Sequence, residues 1–318
     1  MPLSEFQLIR DLFAPLATSK AALGLTDDVA LLAPRAGHEL VLTTDTIVAG
    51  VDFFATDPPG AIARKALRVN LSDLAAKGAA PFGYLLTLCL PKAVDGKWLR
   101  GFARGLAADH KTFGVSLLGG DLSSTPGPLG ITVAALGYVP NGKAILRRGA
   151  QEGDLVFVSG TIGDSGAGLE ALQAKRRAAF LIGRYRVPQP RLALGQKLRG
   201  LASAALDVSD GLLADLGHLA DVSKVHVAID ATRVPLSPAL RKFWGTGEKA
   251  VLRAATAGDD YEIAFCAPRA RRAKVFAAAK AAGVPVTQIG WVMKGRGVAL
   301  LGADGRPMPF GAGGWRHR

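Results

Sequence analysis

Residues 65–81 read KALRVNLSDLAAKGAAP. Counting from one turn earlier, Ala63, Leu67, Leu71 and Leu74 recur at intervals of four, four and three residues, which predicts an amphipathic helix. Asn70 and Asp73 stand three apart on it, so a carboxamide and a carboxylate are expected to face the same way. By itself the stretch is an ordinary helix with Asp73 paired to Lys77 one turn on. Asp73 gains a second reading from the rest of the chain, where short apolar segments repeatedly meet an aspartate.

Working outward, residues 4–17 read as a first helix, and GLTDD (24–28) opens onto the apolar run Val29 to Ala33. A second strand, Glu39 to Leu42, is expected to end in Thr43-Thr44-Asp45, and Asp57-Pro58-Pro59 to start the helix of the opening stretch, with Asp57 as its N-cap. Then follow a strand over 82–90, a helix over 97–113, a short strand over 115–118 running into Gly119-Gly120-Asp121, and a strand over 129–139. Pro140-Asn141-Gly142 marks a boundary. Beyond it we expect strands at 155–159, 204–206, 225–229 and 261–266, and helices after Gly160–Gly168, at 212–222 and at 268–282. Two short strands over 286–301 close the chain. The mixture lacks steady βα alternation, so the expected fold class is α+β in two domains, 1–140 and 141–318. A chain of 318 residues is long for one core.

With 49% hydrophobic and 20% charged residues the chain can bury a sizeable interior. No apolar run reaches the roughly 18 residues of a membrane helix, and MPLSEFQLIRDLF lacks the layout of a signal peptide. Cys89 and Cys266 sit in apolar runs without ligand spacing, so we expect buried thiols and a cytoplasmic protein. Lys+Arg total 39 against 26 Asp+Glu, a net charge of +13. The basic residues are nevertheless scattered, and the tightest groups, 175–177 and 269–274, are expected on helices as polar faces. Aromatics are only 7% and do not interleave with the charge, so neither nucleic acid nor membrane is an expected partner.

The chemistry lies in the acids. Asp45, Asp121, Asp207 and Asp210 are read at the ends of short strands beside Gly, Ser or Thr, and Asp28 just before one. Asp at a strand end is also plain turn chemistry. Five in this pattern point instead to carboxylates gathered around cations, and oxygen ligands suit Mg²⁺, the escort of nucleotide phosphates. Competing motifs are weaker. GYVPNGK (137–143) has seven positions of a P-loop but Ala144 where Ser or Thr belongs, and GTIGDSGAG (160–168) lacks the GxGxxG order and reads as a tight strand-to-helix turn. The five histidines show no zinc spacing, and His110 and His218 read as helix-surface or core residues.

Taken together, LTDDVALL (25–32), TTDTIVAGVDFF (43–54), the opening stretch, GGD (119–121), ILRRGAQEGD (145–154), GTIGDSGAGL (160–169), LDVSDGL (206–212) and GDDYE (258–262) resemble, in this order, the thiamine-monophosphate kinases of the aminoimidazole-ribonucleotide synthetase superfamily. The resemblance implies two α+β domains, a homodimer in which strands of the N-terminal halves meet, and transfer of the ATP γ-phosphoryl group to thiamine monophosphate. It also implies that Asp28, Thr43, Thr44, Asp45, Asp73, Asp121, Asp207 and Asp210 hold Mg²⁺, with Asp45, Asp73, Asp121 and Asp210 central to catalysis. Gly120, Asp121, Arg147 and Ser209 would contact ATP, and Asp52, Asp259 and Phe310 the thiamine substrate. The family usually has Gly at position 26, His at 52, Thr at 122 and Glu at 259, where this chain has Thr26, Asp52, Leu122 and Asp259. Two alternatives stand beside this reading: a nucleotide-binding relative without the activity, and a kinase of the superfamily with another substrate.

Overall fold

The computed structural model describes residues 5–311 with Gly313 and Gly314. The chain forms two compact units, one running to Leu74 and again over Ala80–Gly142, the other comprising Ala75–Ala79 and the chain from Lys143 onward. The fold is α+β, with one mixed sheet in each unit. No described helix is long and apolar enough to cross a membrane.

The first unit opens with a short helix α1 (Glu5–Leu8), a π-helical turn at Ile9–Phe13 and a 3₁₀ turn at Ala14–Leu16. The single helix expected over 4–17 is thus broken into three pieces, and residue 4 lies outside the described residues. Strand β1 (His38–Val48) is followed by helix α2 (Pro59–Ala76), strand β2 (Ala80–Leu90), helix α3 (Gly96–Phe113) and strands β3 (Ser116–Ser124) and β4 (Gly130–Pro140). The sheet order is β1-β4-β2-β3, antiparallel except for the β2/β3 pair. On β2, Tyr84, Leu86 and Leu88 are buried while Leu85 on the other face is 42% exposed, the period-2 signature of a sheet covered on one side. Asp95 caps α3 by accepting from Trp98 N, and Gly114 ends that helix in the left-handed conformation.

Several expectations fail here for physical reasons. Val29 to Ala33 forms no strand: Val29 and Leu31 are 53% and 65% exposed in an irregular segment. Helix α2 starts at Pro59, with the Pro58 carbonyl accepting from Ala61 and Ile62, so the cap falls on Pro58 and not Asp57. It is also not amphipathic. Ala66, Leu67, Val69, Asn70, Leu71, Ser72, Leu74 and Ala75 are all buried, so burial runs around the helix and not along one stripe. Asn70, on the same helix as Asp73, is fully buried and donates to Ala66 O.

The second unit contributes β5 (Leu155–Ser159), α4 (Asp164–Gln173), α5 (Ala179–Arg186), α6 (Leu192–Leu198), β6 (Ala204–Asp207), α7 (Leu212–Ser223) and β7 (His226–Asp230). After these come α8 (Pro238–Trp244), α9 (Glu248–Ala255), β8 (Ile263–Ala267), α10 (Arg272–Ala282), β9 (Val286–Met293), β10 (Gly297–Leu301) and β11 (Pro307–Met308). The seven strands lie in the order β11-β10-β7-β9-β5-β8-β6, and only the β7/β10 pair is parallel. β5 and β8 are buried on both faces, which explains their unbroken apolar sequences. Lys175–Arg177 follows α4 as a turn, with Lys175 at φ 53°, and is not a helical face. Cys266 is buried as expected, whereas Cys89 is only partly so.

In the first unit α2 and α3 approach through glycines. A Cβ on Gly105 would run into the Gly60 carbonyl and come within 2.7 Å of its Cα. Gly105→Ala should therefore destabilise the protein by about 1–3 kcal/mol through overpacking. A lowered urea midpoint with unchanged slope is the expected result, and an unchanged midpoint would remove the contact from the account.

Candidate active site

Thr43-Thr44-Asp45 does not end a strand. It lies inside β1, where Thr43 pairs with Ala135, Thr44 with Ala134 and Asp45 with Val133. The partners Val133 and Ala135 are buried, so Thr43 and Asp45 share the sheet face that also buries Ile131 and Ile47, and α2 covers that face. Thr43 Oγ1 donates to Asp73 Oδ2 at 2.5 Å, tying strand to helix. Thr44 points the other way and donates to Val133 O.

The pairing has an electrostatic cost. Partial desolvation, then the like charges of Asp73 and Asp52, push the Asp45 carboxyl up to about 6. An acid pair held in this way is a cation-seeking arrangement. Its donors are oxygens, the two carboxylates and the Thr43 hydroxyl, and among the described residues no group of three or more His, Cys, Asp or Glu is placed to hold a metal ion by itself. That donor set fits Mg²⁺, which usually takes one or two carboxylates and fills its shell with water and phosphate oxygens.

Asp52 closes the turn after β1. Its Oδ2 accepts from Val48 N at 2.7 Å, and its carbonyl accepts from the buried ammonium of Lys65 at 2.7 Å. Asp28 is exposed in the irregular segment before β1. Asp121 and Gly120 lie inside β3, again not at a strand end. Gly120 must be glycine, since a Cβ there would collide with the Leu86 carbonyl. In register, Thr46, Thr132, Thr87 and Asp121 form one row across the sheet, and Asp45, Val133, Leu86 and Gly120 the next. Two strands therefore separate Asp45 from Asp121, about 14 Å at the spacing of paired strands. One chain does not bring these two carboxylates together.

In the second unit, Asp207 ends β6 as expected, paired with Ile263 and largely buried. Beyond it the pairing continues without regular strand: Val208 N donates to Glu262 O, Tyr261 N to Val208 O and Asp259 N to Ser209 O. This brings Ser209 and Asp210 beside Asp259. Asp259 and Tyr261 both adopt left-handed backbone, at φ 68° and 51°, and Tyr261 Oη donates to Asp259 Oδ1. Arg147 is exposed, next to Leu146, whose carbonyl accepts from Ala205 N of β6. Phe310 follows β11 and packs against the unit's core.

Sequence reading missed three features here. Asp215, in the first turn of α7, accepts through Oδ2 from the amides of Ser209, Asp210 and Gly211, each at 3.1 Å. Burial and the charge of Asp210 push its carboxyl up to about 7 despite those three donors. Glu262, fully buried, is held by Arg184, Arg191 and the Ser159 hydroxyl. Asp260, also buried and with its carboxyl raised by burial, accepts from Gly163 N and Ser165 N at the start of α4. An acid in the first turn of a helix was the one available signal for Asp215. The partners of Glu262 lie more than 70 residues away.

Neither competing phosphate motif forms. GYVPNGK is the end of β4 and a turn with no helix after it, and α4 already begins inside GTIGDSGAG, whose Gly163 would clash with Ala254 if it carried a Cβ.

Residues 26–139 match the family model of the AIR synthase related protein N-terminal domain, and residues 151–302 that of its C-terminal domain. The chain is 45% identical to thiamine-monophosphate kinase of Caulobacter vibrioides, over 99% of this chain and 91% of the relative. To the Salmonella typhimurium enzyme of that name it is 40% identical, over 100% and 99%. The crystal structure of thiamine-monophosphate kinase from Stenotrophomonas maltophilia superimposes with a TM-score of 0.86 at 40% identity, covering 97% of this chain and 99% of that one. AaThiL complexed with AMPPCP and TMP does so with a TM-score of 0.79 at 32% identity, covering 100% and 99%. With both halves of the chain matching the AIR synthase related models and similarity to curated relatives running end to end, the chain belongs to the thiamine-monophosphate kinase family, on the AIR synthase related fold.

Proposed function

We propose that this chain transfers the γ-phosphoryl group of ATP to thiamine monophosphate, giving thiamine diphosphate and ADP. The observation that carries the reading is the Asp45–Asp73 acid pair, fixed through Thr43, in a chain similar along its length to kinases of that name. A structure of AaThiL with AMPPCP, an ATP analogue that resists transfer, and TMP supports it. The N-terminal part, 1–140, is assigned to Mg²⁺-nucleotide binding and dimerisation and 141–318 to the second domain, in a cytoplasmic protein.

The acceptor phosphate is already anionic at neutral pH, its second pKa being near 6. Its oxygen attacks the γ-phosphorus as the bond to the β-bridging oxygen breaks, so no side chain need act as general base. The barrier lies in bringing two anions into line. Bound Mg²⁺ would supply neutralisation of the phosphate charge. Asp28, Thr43, Thr44, Asp45, Asp73, Asp121, Asp207 and Asp210 are the residues that would hold it. Gly120, Asp121, Arg147 and Ser209 are assigned to ATP, and Asp52, Asp259 and Phe310 to the thiamine substrate.

The strand order also supports a homodimer. β1 and β3 are the two edges of the first sheet, and its open face exposes Leu40, Leu42 and Leu85. If Asp45 and Asp121 serve one metal-nucleotide site, they do so from different copies, because about 14 Å divides them within one.

Purified protein with ATP and Mg²⁺ should form thiamine diphosphate from thiamine monophosphate and not from free thiamine, followed by chromatography. Absence of product with both substrates bound would overturn the assignment. Asp45→Asn and Asp121→Asn should each abolish turnover with the fold intact. Mixing and re-equilibrating the two inactive variants should restore about a quarter of wild-type activity, since half the dimers are mixed and each carries one complete site. No recovery would place both acids in one copy.

A second expectation concerns stability. The folded-state value of Asp45, about 6, lies above its ordinary 3.8, so the native state binds this proton more tightly than the unfolded chain. The destabilisation is therefore full above about pH 6 and fades as pH falls toward 4. In chelator at pH 8, Asp45→Asn should raise Tm by a few degrees and weaken the further rise that Mg²⁺ gives the wild type. Calorimetry showing an equal or lower Tm would remove the repulsion from the account.

A further inference from the structure

We infer that Asp215 is the positioning residue of the Ser209–Gly211 loop, and that its side-chain oxygen fills an amide nest which a phosphate would otherwise enter. The inference rests on the proposed phosphoryl-transfer reading, in which Ser209 and Asp210 serve ATP and Mg²⁺. Three consecutive backbone amides, those of Ser209, Asp210 and Gly211, converge on the single oxygen Oδ2 of Asp215, each at 3.1 Å. Successive amides turned toward one point form the concavity with which proteins bind phosphate. Here the acceptor is built in. Asp215 is 4% exposed and comes from inside α7, its own N–H bonded to the Gly211 carbonyl, so it reaches back over the loop that precedes its helix.

The loop is closed on its other side as well. The Ser209 carbonyl accepts from Asp259 N, and Val208 exchanges bonds with Tyr261 and Glu262. A Cβ on Gly258 would come within 2.7 Å of the Ser209 carbonyl. Gly211, at φ 128°, would place one 3.1–3.2 Å from the Thr256–Ala257 backbone. With the three amides turned to Asp215 and the Ser209 carbonyl paired with Asp259 N, the loop backbone is held from both sides. Ser209 and Asp210 are then left to meet a ligand through their side chains and not through their amides.

The role is therefore one of holding and not of touching. Asp215→Asn keeps an acceptor oxygen at the same reach and should stay within about threefold of wild type. Asp215→Ala removes the acceptor, and Asp215→Glu displaces it by one methylene. In both, turnover should fall about 10–100-fold, the usual cost of losing the group that orients a ligand-binding residue. The loss should appear in kcat and in KM for Mg-ATP, while KM for thiamine monophosphate moves less than about twofold. Binding of AMPPCP with Mg²⁺, read by calorimetry on the full-length chain, should weaken in parallel, with far-ultraviolet circular dichroism unchanged. Wild-type kinetics and AMPPCP affinity in a folded Asp215→Glu or Asp215→Ala variant would overturn the inference. So would a loss spread equally over both KM values, which marks a merely structural role. Should Asp215→Ala not fold, the Glu and Asn variants decide alone. If wild-type protein binds AMPPCP but makes no thiamine diphosphate, the substrate reading has failed, and the calorimetric comparison still tests Asp215.

Discussion

Like charges held close by rigid elements are the constraint on which the first unit turns. β1 pairs with β4 without a break from His38 opposite Pro140 to Val48 opposite Gly130, so Asp45 cannot slip. A shift of one residue would send Thr43 and Asp45 to the other face and bring Leu42 and Thr44 beneath α2. α2 cannot retreat either, because it is buried around its circumference and crosses α3 at glycines that allow backbone contact. The repulsion between Asp45 and Asp73 is thus fixed by the fold, and above about pH 6, where Asp45 is ionised, a bound cation is what can relieve it. Stability given up at a site in this way is the ordinary signature of a place shaped for binding.

The second unit treats its acids differently. Glu262 lies between two arginines and a hydroxyl, Asp260 accepts backbone amides, Asp164 accepts from Thr161 and Ser237, and Asp215 accepts three amides. These carboxylates are satisfied from within and act as struts. Replacing one partner would leave a buried charge uncompensated, at about 3–5 kcal/mol for a pair such as Arg184–Glu262. Asp215 bonds directly to the segment 207–210, through the amides of Ser209 and Asp210, and so braces the backbone from which those two side chains project. The contrast separates two kinds of acid that look alike in a sequence: those the protein neutralises itself and those it leaves for a cation.

That distinction sets how far the sequence could be read. Local pattern was enough for β2, α3, β5, α7 and α10, where apolar periodicity and turn residues agree. It failed for α5, α6, α8 and α9, short helices whose stability comes from packing and not from a marked stripe. It failed for Val29 to Ala33, apolar in sequence yet exposed. It misread Thr43-Thr44-Asp45 and Gly119-Gly120-Asp121 as strand ends, because polar and glycine residues interrupt the apolar run although β pairing continues through them. Strand order is the deeper limit. That β4 and β2 lie between Asp45 and Asp121 is a fact of long-range pairing, and no local window contains it.

The same reasoning reinterprets Asp52. Set against a family that usually carries histidine there, a carboxylate beside the acceptor phosphate looks repulsive. Locally, however, it is an acceptor for the Val48 amide at the end of β1, and the buried Lys65 ammonium lies against the same turn through the Asp52 carbonyl. A short acid can close this turn through its own side chain. Asp52 is thus a built-in acceptor of the turn, and its charge still acts on the neighbouring Asp45.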